Sequence, residues 1–107
     1  MFSDLNQITI TGNLTADPIN RLTQSNKPVT NATVAVNYQI KQGEEWVERV
    51  NFIKVTIFGW QAEQLAKKAK KGERVLVTGE LRQQTYTDKE NIERRDVYIL
   101  ANQVELN

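Results

Sequence analysis

Residues Val47 to Gly72 read VERVNFIKVTIFGWQAEQLAKKAKKG, and the fold turns on this stretch. Its first half has period 2. Ile53, Val55 and Ile57 fall on one face, and Phe52, Lys54, Thr56 and Phe58 on the other. That is a strand from Val47 to Phe58 with one face in the core. The period then changes. Gln61 to Lys71 is rich in Ala, Lys, Gln and Glu, which favour helix. Ala62, Leu65, Ala66 and Ala69 recur at helical spacing. Gly72 is the expected C-terminal cap. Lys67, Lys68, Lys70 and Lys71 crowd the last turns, where the helix dipole favours cations, and read as a solvated face.

Outward from this stretch the chain is again alternating. Upstream, Leu5 to Leu14 carries Ile8, Ile10 and Leu14 with polar residues between, a first strand. Residues 15–28 are polar, contain both prolines (Pro18 and Pro28), and read as a loop. Ala32, Val34, Val36, Tyr38 and Ile40 mark a second strand, and Gln42 to Glu45 a hairpin tip leading into the third. Downstream, Val75 to Leu81 is a fourth strand. Thr85 to Leu106 holds a fifth, interrupted by a polar tip at Asp88 to Asn91. Three strands, a helix and two strands predict a mainly β fold: a five-stranded Greek-key barrel with one helix between strands three and four. An open α+β sheet with the helix on one face is the alternative.

The 107 residues suffice for one domain, residues 1–107. Hydrophobic residues are 39% and charged residues 25%, which excludes disorder along the whole chain. Lys and Arg number 14 against 13 Asp and Glu, a formal charge of +1, so bulk positive charge cannot hold a polyanion and any such binding depends on local placement. There is no cysteine and no histidine. Thiol chemistry, disulfides and cysteine-metal sites are excluded, as are the commonest general base and metal ligand. The five glycines are scattered singly, with no phosphate-cradling loop. Glu44, Glu45 and Glu48, and Asp88, Glu90 and Glu93, cluster at tips and read as solubilising. The expectation is therefore no enzyme, no catalytic residue, no metal and no cofactor. No apolar run approaches the roughly 18 residues of a membrane span, and Met1-Phe2-Ser3-Asp4 does not open a signal peptide.

The outer face of the third strand is poor core material. Two aromatics, Phe52 and Phe58, with Lys54 between them make a platform on which bases can stack while the ammonium meets a phosphate. Packing of both rings under the helix or a subunit partner is the alternative on this strand alone. Tyr38, Trp46 and Tyr86 add aromatics near the hairpin tips, beside Arg49, Arg82, Arg94 and Arg95.

These residues resemble a known family. Gly12-Asn13-Leu14, Asp17-Pro18 and Arg21 are similar to the opening of bacterial single-stranded DNA-binding proteins. Asn31 to Val36 resembles that family's second strand, and Ile57 to Glu63 its strand-to-helix junction. Lys71-Gly72 and Val77 to Arg82 resemble its fourth strand, and Tyr86-Thr87-Asp88 the tip that follows. The matches run in order over nearly the whole chain.

The resemblance implies an oligonucleotide-binding (OB) fold that binds single-stranded DNA without strong sequence preference in replication, recombination and repair. It places base stacking on Phe52, Phe58 and Tyr86, with Tyr38 near a further aromatic position; Trp46 is a candidate from its place at the hairpin tip alone. It places backbone contacts on Arg21, Lys54 and Arg82; Arg49 and Arg94, cations near the hairpin tips, are added from the residues themselves. It implies a homotetramer or dimer, in the cytoplasm with the nucleoid, with an organelle as the alternative location. Three departures stand out. Gln83-Gln84-Thr85 is neutral where relatives are often basic, and Trp60 replaces a residue that is often polar or basic. The sequence stops at Asn107, where relatives usually continue into an acidic-tipped tail that recruits other proteins; the two readings are a trimmed DNA-binding domain and a short, tail-less member, and recruitment through a tail is assumed in neither. Two alternatives are a tail-less replication-restart adaptor similar to primosomal replication protein N, and a metal-dependent nuclease built on Asp88, Glu90 and Glu93.

Overall fold

The computed structural model describes residues 3–107; Met1 and Phe2, half of the opening read above, lie outside the described residues. The elements are β1 (Ile8–Leu14), β2 (Ile19–Leu22), β3 (Pro28–Gln42), β4 (Glu45–Phe58), α1 (Trp60–Lys68), β5 (Arg74–Thr87) and β6 (Glu93–Leu106). Five strands run in the order β1-β5-β6-β4-β3, and β1 returns to pair with β3. This closes the expected barrel, with its one helix between the third and fourth barrel strands.

The closure is local and tight. β1 pairs with β5 from Ile8 to Asn13, then passes to β3 through Asn13↔Ala35 and Leu14↔Val34. At that handover Gly12 lies against β3. A Cβ there would overlap the Ala35 carbonyl oxygen and approach Val34 Cγ1 to 2.7 Å. Gly79 plays the same part where β5 bulges against β6: a Cβ would overlap the Leu100 carbonyl oxygen and sit 2.7 Å from Ala101 Cα. At both points the close approach of the strands is made by a residue without a side chain.

The inward positions of the alternation fill the interior. Val34, Ile57, Val75, Val77 and Ile99 are almost completely buried. Each such side chain contributes about 1.5–3 kcal/mol relative to an exposed one. From α1, Ala62 and Leu65, with Ala69 just beyond, join the same cluster. Buried Thr30 fixes the helix to β3 by donating its hydroxyl to the Ala62 carbonyl at 2.7 Å. Gly59 turns the chain from β4 into α1 at φ 82°, a left-handed value that other residues adopt at a cost.

Several boundaries differ from the sequence reading. Residues 15–28 are not all loop: β2 pairs with β3 from Ile19↔Asn31 to Leu22↔Pro28. The helix stops at Lys68, before Gly72, because the next amides are captured elsewhere. Lys70 N–H donates to Glu73 Oε1, Lys71 N–H to Asp17 Oδ1, and Gly72 N–H to the Leu14 carbonyl, each at 2.8 Å. Thr85 to Thr87 belong to the fourth barrel strand and pair with Arg95 to Glu93, so the fifth begins only after the tip. The first strand starts at Ile8, because Asn6 meets β5 with its side chain: Nδ2 donates to the Leu81 carbonyl and Oδ1 accepts from Leu81 N–H, both at 2.9 Å.

Gly12→Ala is expected to destabilise the protein by about 1–3 kcal/mol, as overpacking a filled site does. Urea unfolding with an unchanged midpoint would show that closure does not need the glycine.

Candidate nucleic-acid interface

The outer face is set by β4. Phe52 is 64% and Phe58 41% exposed, so neither ring is packed beneath α1. Lys54 stands exposed between them. Register decides which other residues share this face. β6 lies parallel to β4, with Val55↔Ile99 both turned inward and Thr56↔Leu100 both outward. The outward row of β6 is therefore Arg94, Asp96 and Tyr98, and its antiparallel partners on β5 are Tyr86, Gln84 and Arg82. Aromatic and cation face one another in two cross-strand pairs, Arg82↔Tyr98 and Tyr86↔Arg94.

A groove of about 510 Å³ runs over this face. Arg21, Asn31, Lys54, Phe58, Asp96 and Tyr98 line it. Its far wall is β2, the strand that the composition of residues 15–28 concealed, and that strand carries Arg21. Asn31 lies between Thr56 and Arg21. The orientation of its carboxamide that satisfies both has the nitrogen donate to Thr56 Oγ1 at 2.9 Å and the oxygen accept from Nε and Nη2 of Arg21 at 3.2 Å. Lys27, in the turn between β2 and β3, holds its ammonium 5.7 Å from the centre of the Phe58 ring, within cation–π range.

Three of the cations hold carboxylates. Lys54 Nζ donates to Asp96 at 2.7 Å, Arg82 Nη2 to Glu80 at 3.0 Å, and Arg94 Nε to Asp88 at 2.9 Å. All are exposed pairs, worth about 0–1 kcal/mol each, so each can be exchanged for another anion at little cost. The Asp96 hydrogen bond holds the Lys54 ammonium above the ordinary lysine range, against desolvation, with smaller contributions from the Asp96 charge and the Tyr86 phenol. Lys54 thus keeps its charge at every pH at which the protein would work.

The remaining expected residues are dispersed. Trp46 shares the Phe52 face but sits at the far end of the β3–β4 hairpin, opposite Lys41. Tyr38 pairs with Arg49, in register with Val36 and Ile53, so both lie on the opposite side of that ribbon from Phe52. Asp88 builds the β5–β6 tip. Its Oδ1 accepts from the amides of Glu90 and Ile92 at 2.9 and 3.0 Å while Oδ2 holds Arg94. That carboxylate is spent on its own turn. Among the described residues no group of three or more acidic side chains is arranged to hold a metal ion, and no helix is long and apolar enough to cross a membrane.

Tyr98, Asp96, Asn31 and Lys27 were not singled out in the sequence. Tyr98 was legible in principle, two and four residues from Asp96 and Arg94 on an alternating strand. Lys27 and Asn31 gave no local signal.

A closed five-stranded barrel with its helix after the third barrel strand, carrying aromatics and cations on the outer face, defines an OB-fold protein. Residues 5–107 match the model of the single-strand binding protein family, and the chain belongs to that family. It is 36% identical to the single-stranded DNA-binding protein of Treponema pallidum (strain Nichols) over 104 residues, 97% of this chain and 58% of that protein. It is 38% identical to that of Mycobacterium leprae (strain TN) over 100 residues, 91% of this chain and 60% of the relative. The chain thus spans about 60% of the length of these relatives.

Hydrogen bonds donated by the Ile92 amide, the Arg94 side chain and the Glu90 amide hold the Asp88 carboxyl below the ordinary aspartate range. A lowered folded value means that the carboxylate supports the tip above the ordinary range and that this support is lost as pH falls through the lowered value. In an NMR titration the Glu90 and Ile92 amides should move with a midpoint below that of an unperturbed aspartate. A midpoint at the ordinary value would contradict the capping role.

Proposed function

We propose that this chain is a single OB domain that binds single-stranded DNA without strong sequence preference and protects it in replication, recombination and repair. The observation that carries the proposal is the exposed Phe52–Lys54–Phe58 row, with Tyr86, Tyr98, Arg82 and Arg94 on the same face across β5 and β6. Stacking on aromatic side chains, as measured in single-strand-binding proteins of this kind, is worth about 1–3 kcal/mol per base and is tolerant of sequence. Three or four rings can therefore hold a strand although the net charge is only +1. Bases stack on Phe52, Phe58 and Tyr86, with Trp46 further along the same face. Arg21, Lys54, Arg82 and Arg94 meet the phosphates, three of them by leaving their carboxylates. Tyr38 and Arg49 lie off this path. The names of the relatives support the ligand: both are called single-stranded DNA-binding proteins. The chemistry is binding rather than catalysis, in keeping with an Asp88 committed to its turn.

Assembly as a homotetramer or dimer is part of the proposal. The inward-facing row of the β5–β6 hairpin continues past the core onto half-exposed Leu81 and Val97, which a second copy would cover. The location proposed is the cytoplasmic nucleoid.

Retention of labelled poly(dT) by the protein, and no comparable retention of a duplex, tests the reading. Phe52→Ala should weaken poly(dT) binding by about 1–3 kcal/mol with the barrel and oligomer intact. Unchanged affinity would remove Phe52 from the path. Asp96→Asn should act in the opposite direction. It releases Lys54 and removes a negative charge from the groove, and is expected to tighten binding at low salt by up to about 1 kcal/mol, the range of an exposed pair. Weaker binding by that variant would mean that Asp96 positions Lys54 rather than competing for it.

A further inference from the structure

The β4–α1 junction carries a second exposed ring that the path above leaves unused. Trp60 is 70% exposed at the first position of α1. Only Gly59 separates it from Phe58, so the two Cα atoms are at most about 7 Å apart. Trp60, Gln64 and Lys68 recur at four-residue spacing along one face of α1. That face borders a groove of about 680 Å³ whose opposite wall is Asn102 to Leu106 of β6. Gln61 Nε2 donates to the Asn102 carbonyl at 3.1 Å, tying helix to strand. At its other end Lys68, flanked by Lys67, is exposed and has no ion-pair partner among the described residues. Glu105 is the one carboxylate in the lining, and its Oε1 is taken at 2.6 Å by the Gln103 amide.

We infer that this groove is a second segment of the single-strand path, in which a base stacks on Trp60 and the following phosphates pass Gln64 to reach Lys68. The occupant is chosen by chemistry. An exposed indole next to amides and a run of unpaired lysines is complementary to a base joined to a polyanion, whereas an acidic or apolar peptide would leave either the ring or the amides without a partner. The strand would turn from the β4 face across the junction and onto the helix. The inference rests on the function proposed above and lengthens its path by one ring and one cation.

Two tryptophans make the test specific. In Trp46→Phe, Trp60 is the sole tryptophan emitter, and its fluorescence should be quenched as poly(dT) saturates the protein. In the otherwise native chain, Trp60→Ala should weaken poly(dT) binding at least about fivefold, the lower end of a stacked base. Lys68→Gln should reduce the steepness of the logarithmic salt dependence by about 0.7, one single-strand phosphate. The ring is exposed, so unfolding of Trp60→Ala is not expected, and circular dichroism checks it. If labelled poly(dT) binds but Trp60 emission and the affinity of Trp60→Ala do not change, the inference is overturned while the proposed function stands. Trp60 emission that responds to protein dilution and not to DNA also overturns it, because the groove would then seat a second copy. If labelled poly(dT) does not bind the native chain at all, the proposed function fails and the inference with it.

Discussion

The close approach of β1 to β3 at Gly12 is the constraint on which the rest depends. No side chain fits between Gly12 and the Ala35 carbonyl, so only a glycine lets β1 leave β5 and reach β3 within two residues. Once that contact closes the barrel, the two faces of every strand acquire different fates. One row is sealed into a core around Val34, Ile57 and Ile99. The other is turned outward over a curved surface, and on β4 that row contains Phe52, Lys54 and Phe58. An open sheet of the same strands would have two solvent-accessible faces and no reason to separate them so completely. α1 belongs to the same logic, since Ala62 and Leu65 extend the core and Thr30 locks the helix in place.

Much of this was legible in the sequence, for a physical reason. Burial on one face of a strand forces period 2, and burial on one face of a helix forces period 3.6. The switch between them at Gly59 marks the junction to within a residue. What was not legible depended on partners far along the chain. β2 has no alternation of its own and all four of its residues are exposed; it is a strand only because β3 offers an edge. The helix ends early because Asp17 and Leu14, more than fifty residues away, take the amides that would have continued it. Apart from Glu73, which takes the Lys70 amide, neither effect leaves a local trace.

The site divides in the same way. Phe52, Lys54 and Phe58 are readable from one strand's alternation. Their union with Tyr86, Arg82 and Arg94 is fixed by the parallel β4–β6 pairing, which no local pattern reveals. Tyr38 and Arg49 show the converse. Proximity to a hairpin tip suggested the same platform, but parity within the β3–β4 ladder places them on its other side. The carboxylates on Lys54, Arg82 and Arg94 are also tertiary facts. They leave a surface of rings and nearly balanced charge.

The direct test is to ask which face a single strand touches. With a short oligothymidylate added to the isotopically labelled protein, the aromatic resonances of Phe52, Phe58, Tyr86 and Tyr98 should shift together with the Lys54 side chain, while Tyr38 stays in place. Perturbations confined to the Tyr38 and Arg49 side of the β3–β4 ribbon, or no perturbation at saturating strand, would contradict the account.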